Sequence, residues 1–139
     1  KAATTVALNA ADQTLLDQIR GKVGGLDKAN GRAFDETSER MSASLLAAAK
    51  GAGITQADHV VLSKQTATSP AAQNIFVVQG DLADPAALRT HLPTAEAAQR
   101  PVQESMSQLE AIGQRQAREQ AADMQRTQDQ QQRVSSPSL

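Results

Sequence analysis

A small α+β body is the fold class this sequence predicts, and three observations lead to it. Apolar residues recur at helical spacing in two stretches near the N-terminus. Two short runs rich in β-branched and aromatic residues follow them. Large apolar side chains then thin out: residues 1–98 hold 22 of Ile, Leu, Val, Phe and Met, whereas residues 99–139 hold seven. The expected architecture is helices packed on a short two-to-three-stranded sheet, followed by a helix and a disordered Gln-rich tail. A length of 139 residues suits one such domain.

Taken in order, residues 1–11 read as a flexible linker, and an opening Lys1 in place of Met is expected of a piece of a longer protein. The body is expected over 12–113. Leu8, Leu15, Leu16, Ile19 and Val23 mark a first helix, stopped by Gly24-Gly25. Asp35 or Thr37 caps a second helix, with Glu36 and Glu39 near its positive end. Met41, Leu45, Leu46 and Ala49 form its stripe, and Gly51 and Gly53 close it. His59–Ser63 and Asn74–Gln79 read as strands, and their unbroken apolar runs predict burial on both faces. The ten residues between them, Lys64–Gln73, read as a mobile loop. Asp84-Pro85 is expected to start a short helix with Leu88 and Leu92 on one edge, ended by Pro93. Thr94 can cap the segment that follows.

Pro101 suits the first turn of a last helix, whose stripe is Val102, Met106, Leu109 and Ile112. Beyond Gly113 that stripe vanishes, and Gln dominates: eight of the 26 residues 114–139 are Gln. Such residues tolerate helix, but without tertiary contacts a helix of this kind is marginal in water. Residues 114–139 are therefore expected to be disordered.

Composition removes several classes of function. The 14 basic and 15 acidic side chains leave a net charge of −1, which offers no field for nucleic acid. Two Phe without Tyr or Trp cannot form a base-stacking platform. No Cys is present for disulfides, thiol catalysis or thiolate-bound zinc. No apolar run approaches the roughly 18 residues of a membrane span.

Catalytic signals are equally thin. Asp58-His59 with Ser63 resembles parts of a triad, but neighbours along a strand point to opposite faces, and no Gly-x-Ser-x-Gly elbow exists. A metal site would need His59, His91 and a carboxylate such as Asp81 or Asp84 to converge, and no ligand spacing supports that. The acids Asp35, Glu36 and Glu39, like Asp81 and Asp84, sit where helices are expected to begin. Arg32 and Arg40 lie near acids and read as solvated ion-pair partners. No catalytic residue, cofactor, metal or small-molecule ligand is expected.

Several blocks are nonetheless familiar in their order. They are Gly31-Arg32-Ala33-Phe34-Asp35, Ser38-Glu39-Arg40-Met41, Asp58-His59-Val60-Val61-Leu62-Ser63, the run from Phe76 through Gln79-Gly80-Asp81 to Asp84-Pro85-Ala86, and Arg89-Thr90-His91-Leu92-Pro93-Thr94. With a Gln-rich end, this resembles the C-terminal secretion domain, XVIPCD, of Xanthomonas-type type IV secretion effectors. The resemblance covers the chain from about residue 12 onward. One departure is Leu92 where Met is usual, a volume-conserving exchange.

The resemblance implies an address label. Such effectors are antibacterial toxins delivered from the bacterial cytoplasm into competing bacteria, and their C-terminal domain is read by the VirD-type coupling ATPase of the secretion machine. Toxin activity would lie upstream of this chain. The candidate partner-binding residues within the blocks are Gln79, Asp84, Arg89, His91 and Thr94. Gln114, Gln116 and Gln120 are the candidates in the tail. Phe76, Val78, Val60 and Leu62 are assigned to packing. A monomer is expected, with an alternative in which the Val102–Ile112 stripe serves a general helical interaction or oligomerisation module. A core of mostly Ala, Val and Leu without disulfides further predicts low stability, which would suit passage through a narrow channel.

Overall fold

The computed structural model describes residues 8–67 and 71–135. In chain order these form α1 (Ala10–Ala29), α2 (Glu36–Gly51), β1 (His59–Leu62), β2 (Asn74–Gln79), β3 (Leu88–Pro93), α3 (Thr94–Gln99) and α4 (Val102–Ser135). The strands make one antiparallel sheet in the order β1-β2-β3. The α+β class expected from the sequence is therefore correct.

The first helix begins where a side chain can satisfy its free N–H groups. Asn9 accepts the Asp12 N–H at 2.8 Å, which is an N-cap. Leu8 packs partly buried against the core, so the order begins ahead of residue 12 and the expected linker is shorter by these residues. The helix also runs through Gly24-Gly25 rather than stopping there. Each Gly costs about 1 kcal/mol against Ala, but the half-buried Leu26 and the buried Asp27 lie beyond them and hold the last turn. The stop is at Gly31, whose φ of 70° is the left-handed conformation glycine supplies freely. Gly31 N–H donates to Lys28 O and Arg32 N–H to Asp27 O, the paired bonds of a Schellman motif.

Asp27 links that ending to the next beginning. Its carboxylate accepts from the Ser38 hydroxyl and lies 3.6 Å from Arg32. Ser38 Oγ in turn accepts the Asp35 N–H, while Asp35 Oδ1 accepts the Ser38 N–H, a reciprocal capping box at the start of α2. Phe34 stands between the two helices with the Arg20 guanidinium 5.9 Å from its ring centre, and Arg20 continues to Glu39 at 2.5 Å.

α2 is the centre of the molecule. Six consecutive residues, Ser42 to Leu and Ala at 45–47, are buried, which covers every side of the helix. α1, α3, α4 and β3 all pack on it. Leu45 and Leu46 are fully buried among Leu15, Ile19, Val23, Ile75, Val77 and Leu109. Ser44 donates to Ala97 O at 3.2 Å and sits 3.3 Å from the Ser105 hydroxyl, joining α2, α3 and α4 through small buried side chains. Arg40 pairs with Glu36 at 3.6 Å as expected, and its Nε also donates to Ala98 O at 2.7 Å, tying α2 to α3. The C-terminus closes as expected at Gly53, φ 82°, again with Schellman bonds: Gly53 N–H to Lys50 O and Ile54 N–H to Ala49 O.

Two expectations fail in the second half. The helix expected from Asp84 is absent, and Leu88–Pro93 is strand β3. Asp84 Oδ1 does accept an N–H, but that of Ala86 two residues on, so it closes a turn instead of starting a helix. Thr94 is the first residue of α3 and caps nothing, and no side chain caps that helix. The second failure is the tail. The helix does not end at Gly113 but continues to Ser135, so the disorder expected of 114–139 does not describe 114–135; residues 136–139 lie outside the described ones. The reason is propagation: Met106, Leu109 and Ile112 turn toward the body and nucleate the helix, after which each Gln, Arg or Ala extends it by one residue at little cost. Val102, expected in that stripe, is 37% exposed; the buried position is Ser105. The loop Lys64–Gln73 includes 68–70, also outside the described residues.

Chemical denaturation of this body is expected to give an unfolding free energy at or below the lower end of the usual ~5–15 kcal/mol. Leu45→Ala is expected to remove about 2–5 kcal/mol by opening a cavity at the helix junction, so that the variant is substantially unfolded in buffer. Urea titration followed by circular dichroism reads both.

Candidate docking surface

Among the described residues, helices pack on one face of the sheet only. The register places Val60, Val77 and Thr90 in one cross-strand row and Leu62, Ile75 and Leu92 in another. These rows face the helices, and Val60, Ile75 and Val77 join the core. The alternate rows, His59–Val78–Arg89 and Val61–Phe76–His91, point the other way. No described helix packs there, yet β2 is buried on both faces at Val77 and Val78, as its apolar run predicts, whereas Val61 of β1 is only half-buried on this side. Val78 is still buried, and Phe76 is half-buried with its ring centre 5.1 Å from that of His91.

The turn joining β2 to β3 fixes one end of this face. Gly80 has φ 109°, and a Cβ there would stand 3.4 Å from Ala87 Cβ. Asp58 Oδ2 accepts the Gly80 N–H at 2.7 Å, and Asp81 Oδ1 accepts that of Ala83. Arg89 reaches back over the turn and donates to Asp84 O at 2.7 Å and to Ala87 O at 3.5 Å.

The eight candidate residues thus separate. Arg89 and His91 share the uncovered face, and Asp84 lies in the turn beside it. Gln79 is engaged elsewhere: its Oε1 accepts the Thr55 N–H at 2.9 Å. Thr94 is half-buried, and its hydroxyl is buried without a hydrogen-bond partner. Gln116 is a structural contact, its Nε2 donating to Lys50 O at 2.8 Å. Gln114 and Gln120 are exposed on α4.

Sequence reasoning missed His59 and Phe76 as members of one face with Arg89. The signal was the period of two along each block, which an unbroken apolar run conceals. It also missed the ion pair under α4. Lys50 Nζ lies 2.7 Å from Asp12 Oδ2, both side chains being largely buried. A Cβ on Gly113 would come within 3.0 Å of that Nζ, so this glycine makes room for the lysine rather than ending the helix. Clefts of about 340 and 410 Å³ flank the pair; Gln120 borders the first and Gln114 the second. His59 and His91 stand on the two edge strands with β2 between them, and among the described residues no three His, Asp or Glu side chains cluster as a metal site would require.

A family model described as X-Tfes, XVIPCD matches residues 8–111. The chain belongs to this family. It is accordingly a secretion-signal domain of the kind found at the C-terminus of type IV secretion effectors. No curated protein matches the chain. The matched span of this XVIPCD takes in α1 to α3, the three strands and α4 as far as Ala111. None of its described helices is long and apolar enough to cross a membrane.

Lys50→Met should destabilise the domain by about 1–3 kcal/mol, because Asp12 would remain buried without its cation. The double variant Asp12→Leu/Lys50→Met should recover much of that loss. Denaturation of the four members of the cycle measures the coupling.

Proposed function

We propose that this XVIPCD recruits an antibacterial effector to its secretion machine by docking onto the VirD-type coupling ATPase. The cargo would be made in the bacterial cytoplasm and passed through the type IV system into a rival bacterium. The domain itself is non-catalytic in this reading, and toxin activity belongs to a segment upstream of it. Membership of the secretion-domain family over residues 8–111 is the observation that carries the proposal.

The fold supports it in two ways. Blocks shared with the family supply the open sheet face at alternate positions, including His59, Phe76, Arg89 and His91. The opposite positions of the same blocks are occupied with packing. A docking domain needs such a division between a rigid scaffold and a readable surface. The alternative module, associating through the Val102–Ile112 stripe, loses its surface: Leu109 is buried and Met106 packs against the core.

The exposed part of α4 adds reach. Thirty-four residues at 1.5 Å each make a rod of about 50 Å, most of it beyond the body. That reach suits cargo which must be handed on.

Affinity capture of the coupling ATPase tests the reading. The intact domain is expected to retain it, and Arg89→Ala and deletion of 114–139 are each expected to weaken capture while the body stays folded. If neither does so, the assigned contact residues are wrong.

A further inference from the structure

We propose that the uncovered face of the sheet is the docking surface, and that its partner presents carboxylates around an apolar side chain. This rests on the docking reading above and identifies the chemistry of the partner's contact.

The ionisable residues in the two outward rows are His59, Arg89 and His91, all basic types. Between Arg20 and Arg100 the chain has five arginines, and four of them face carboxylates: Arg20 with Glu39, Arg32 with Asp27, Arg40 with Glu36 and Arg100 with Glu96. Arg89 is the exception. Among the described residues it has no acidic partner, only the main-chain carbonyls of Asp84 and Ala87. Those bonds fix the side chain in place without neutralising it. Three acids lie near this end of the sheet, and each has a carboxylate oxygen engaged by a backbone N–H: Asp58 by Gly80, Asp81 by Ala83 and Asp84 by Ala86.

A held guanidinium is well suited to a carboxylate, whose two oxygens it can meet as a fork. On the same face the half-buried Val61 and Phe76 form an apolar strip over the buried Val78, with the imidazole of His91 against Phe76. Arginine and large aromatic side chains are enriched among the residues that dominate binding energy at protein interfaces. With a net charge of −1 the chain as a whole does not attract acidic surfaces, so selectivity for one must come from this local arrangement.

Isothermal titration of the purified soluble region of the coupling ATPase into the full chain tests this. Arg89→Glu and His59→Glu, on opposite edge strands, are each expected to weaken binding by about tenfold or more. Wild-type affinity should fall as NaCl is raised. Lys22→Glu, an exposed change on α1, should bind as wild type. Circular dichroism melts confirm folding, and if Arg89→Glu fails to fold, His59→Glu still reads the same face. Wild-type binding that both reversals leave unchanged overturns this surface while the docking reading stands. Absence of wild-type binding overturns both. A wild-type dimer in sedimentation that Arg89→Glu renders monomeric also overturns the proposal, because the occupant would then be a second copy.

Discussion

Everything in this domain is arranged around the burial of one helix by small side chains. α2 is enclosed by three helices and the sheet, and its buried side chains include the small Ser42, Ala43, Ser44 and Ala47, of which Ser44 meets Ala97 of α3 and Ser105 of α4. Helix separation is set by the side chains at the contact, so these residues permit α3 and α4 to approach closely. Closeness brings a cost, because serine hydroxyls enter a dry interior. Ser42 meets it by donating to Ser38 O, and Ser44 by donating to Ala97 O beside Ser105. A helix buried on all sides also cannot leave its ends to water. Its N-terminus closes through Asp35, Ser38 and Asp27, and its C-terminus through Gly53 and the Gln116 amide.

Much of this was legible in the sequence. The leucine stripes, the Asp35 cap, the Gly53 stop and the first two strands follow from residue type and spacing alone. The failures share one cause, which is that local preference was overruled by something distant. Gly24-Gly25 is a local helix breaker, yet Leu26 and Asp27 beyond it find partners across the core and at Ser38. Asp84-Pro85 has the chemistry of a helix start, yet Leu88–Pro93 gains a full ladder against β2, and a turn at Asp84 is what that pairing requires. For the candidate surface, Arg89 and His91 were legible as exposed polar residues. Phe76 was assigned to packing because a continuous apolar run does not reveal which of its faces goes uncovered.

The one-sided sheet also explains how one short sequence serves two purposes. Alternate residues of β2 and β3 answer to different demands, the inward ones to volume and the outward ones to chemistry. A one-residue slip would exchange the two sets. The register is held against that slip at the β2–β3 turn, by Gly80 with Asp58 and by Arg89 over the Asp84 carbonyl. The arginine that the open face presents is therefore also a clasp on the hairpin that presents it.

The long helix shows the same dependence on the body. A peptide with the composition of 114–135 has good intrinsic propensity but no apolar stripe, and nucleation is the step it could not complete alone. Here Ser105, Met106 and Leu109 supply the nucleus against α2, and side-chain pairs such as Arg126 with Asp123 and Gln125 with Asp129 support the exposed turns. The joint between the two halves is narrow. It consists of Gly113 over the Lys50–Asp12 pair and Gln116 on the Lys50 carbonyl. Helix order outward of that joint is inherited from packing inward of it. Loosening Lys50 would therefore be felt along the arm as well as in the core.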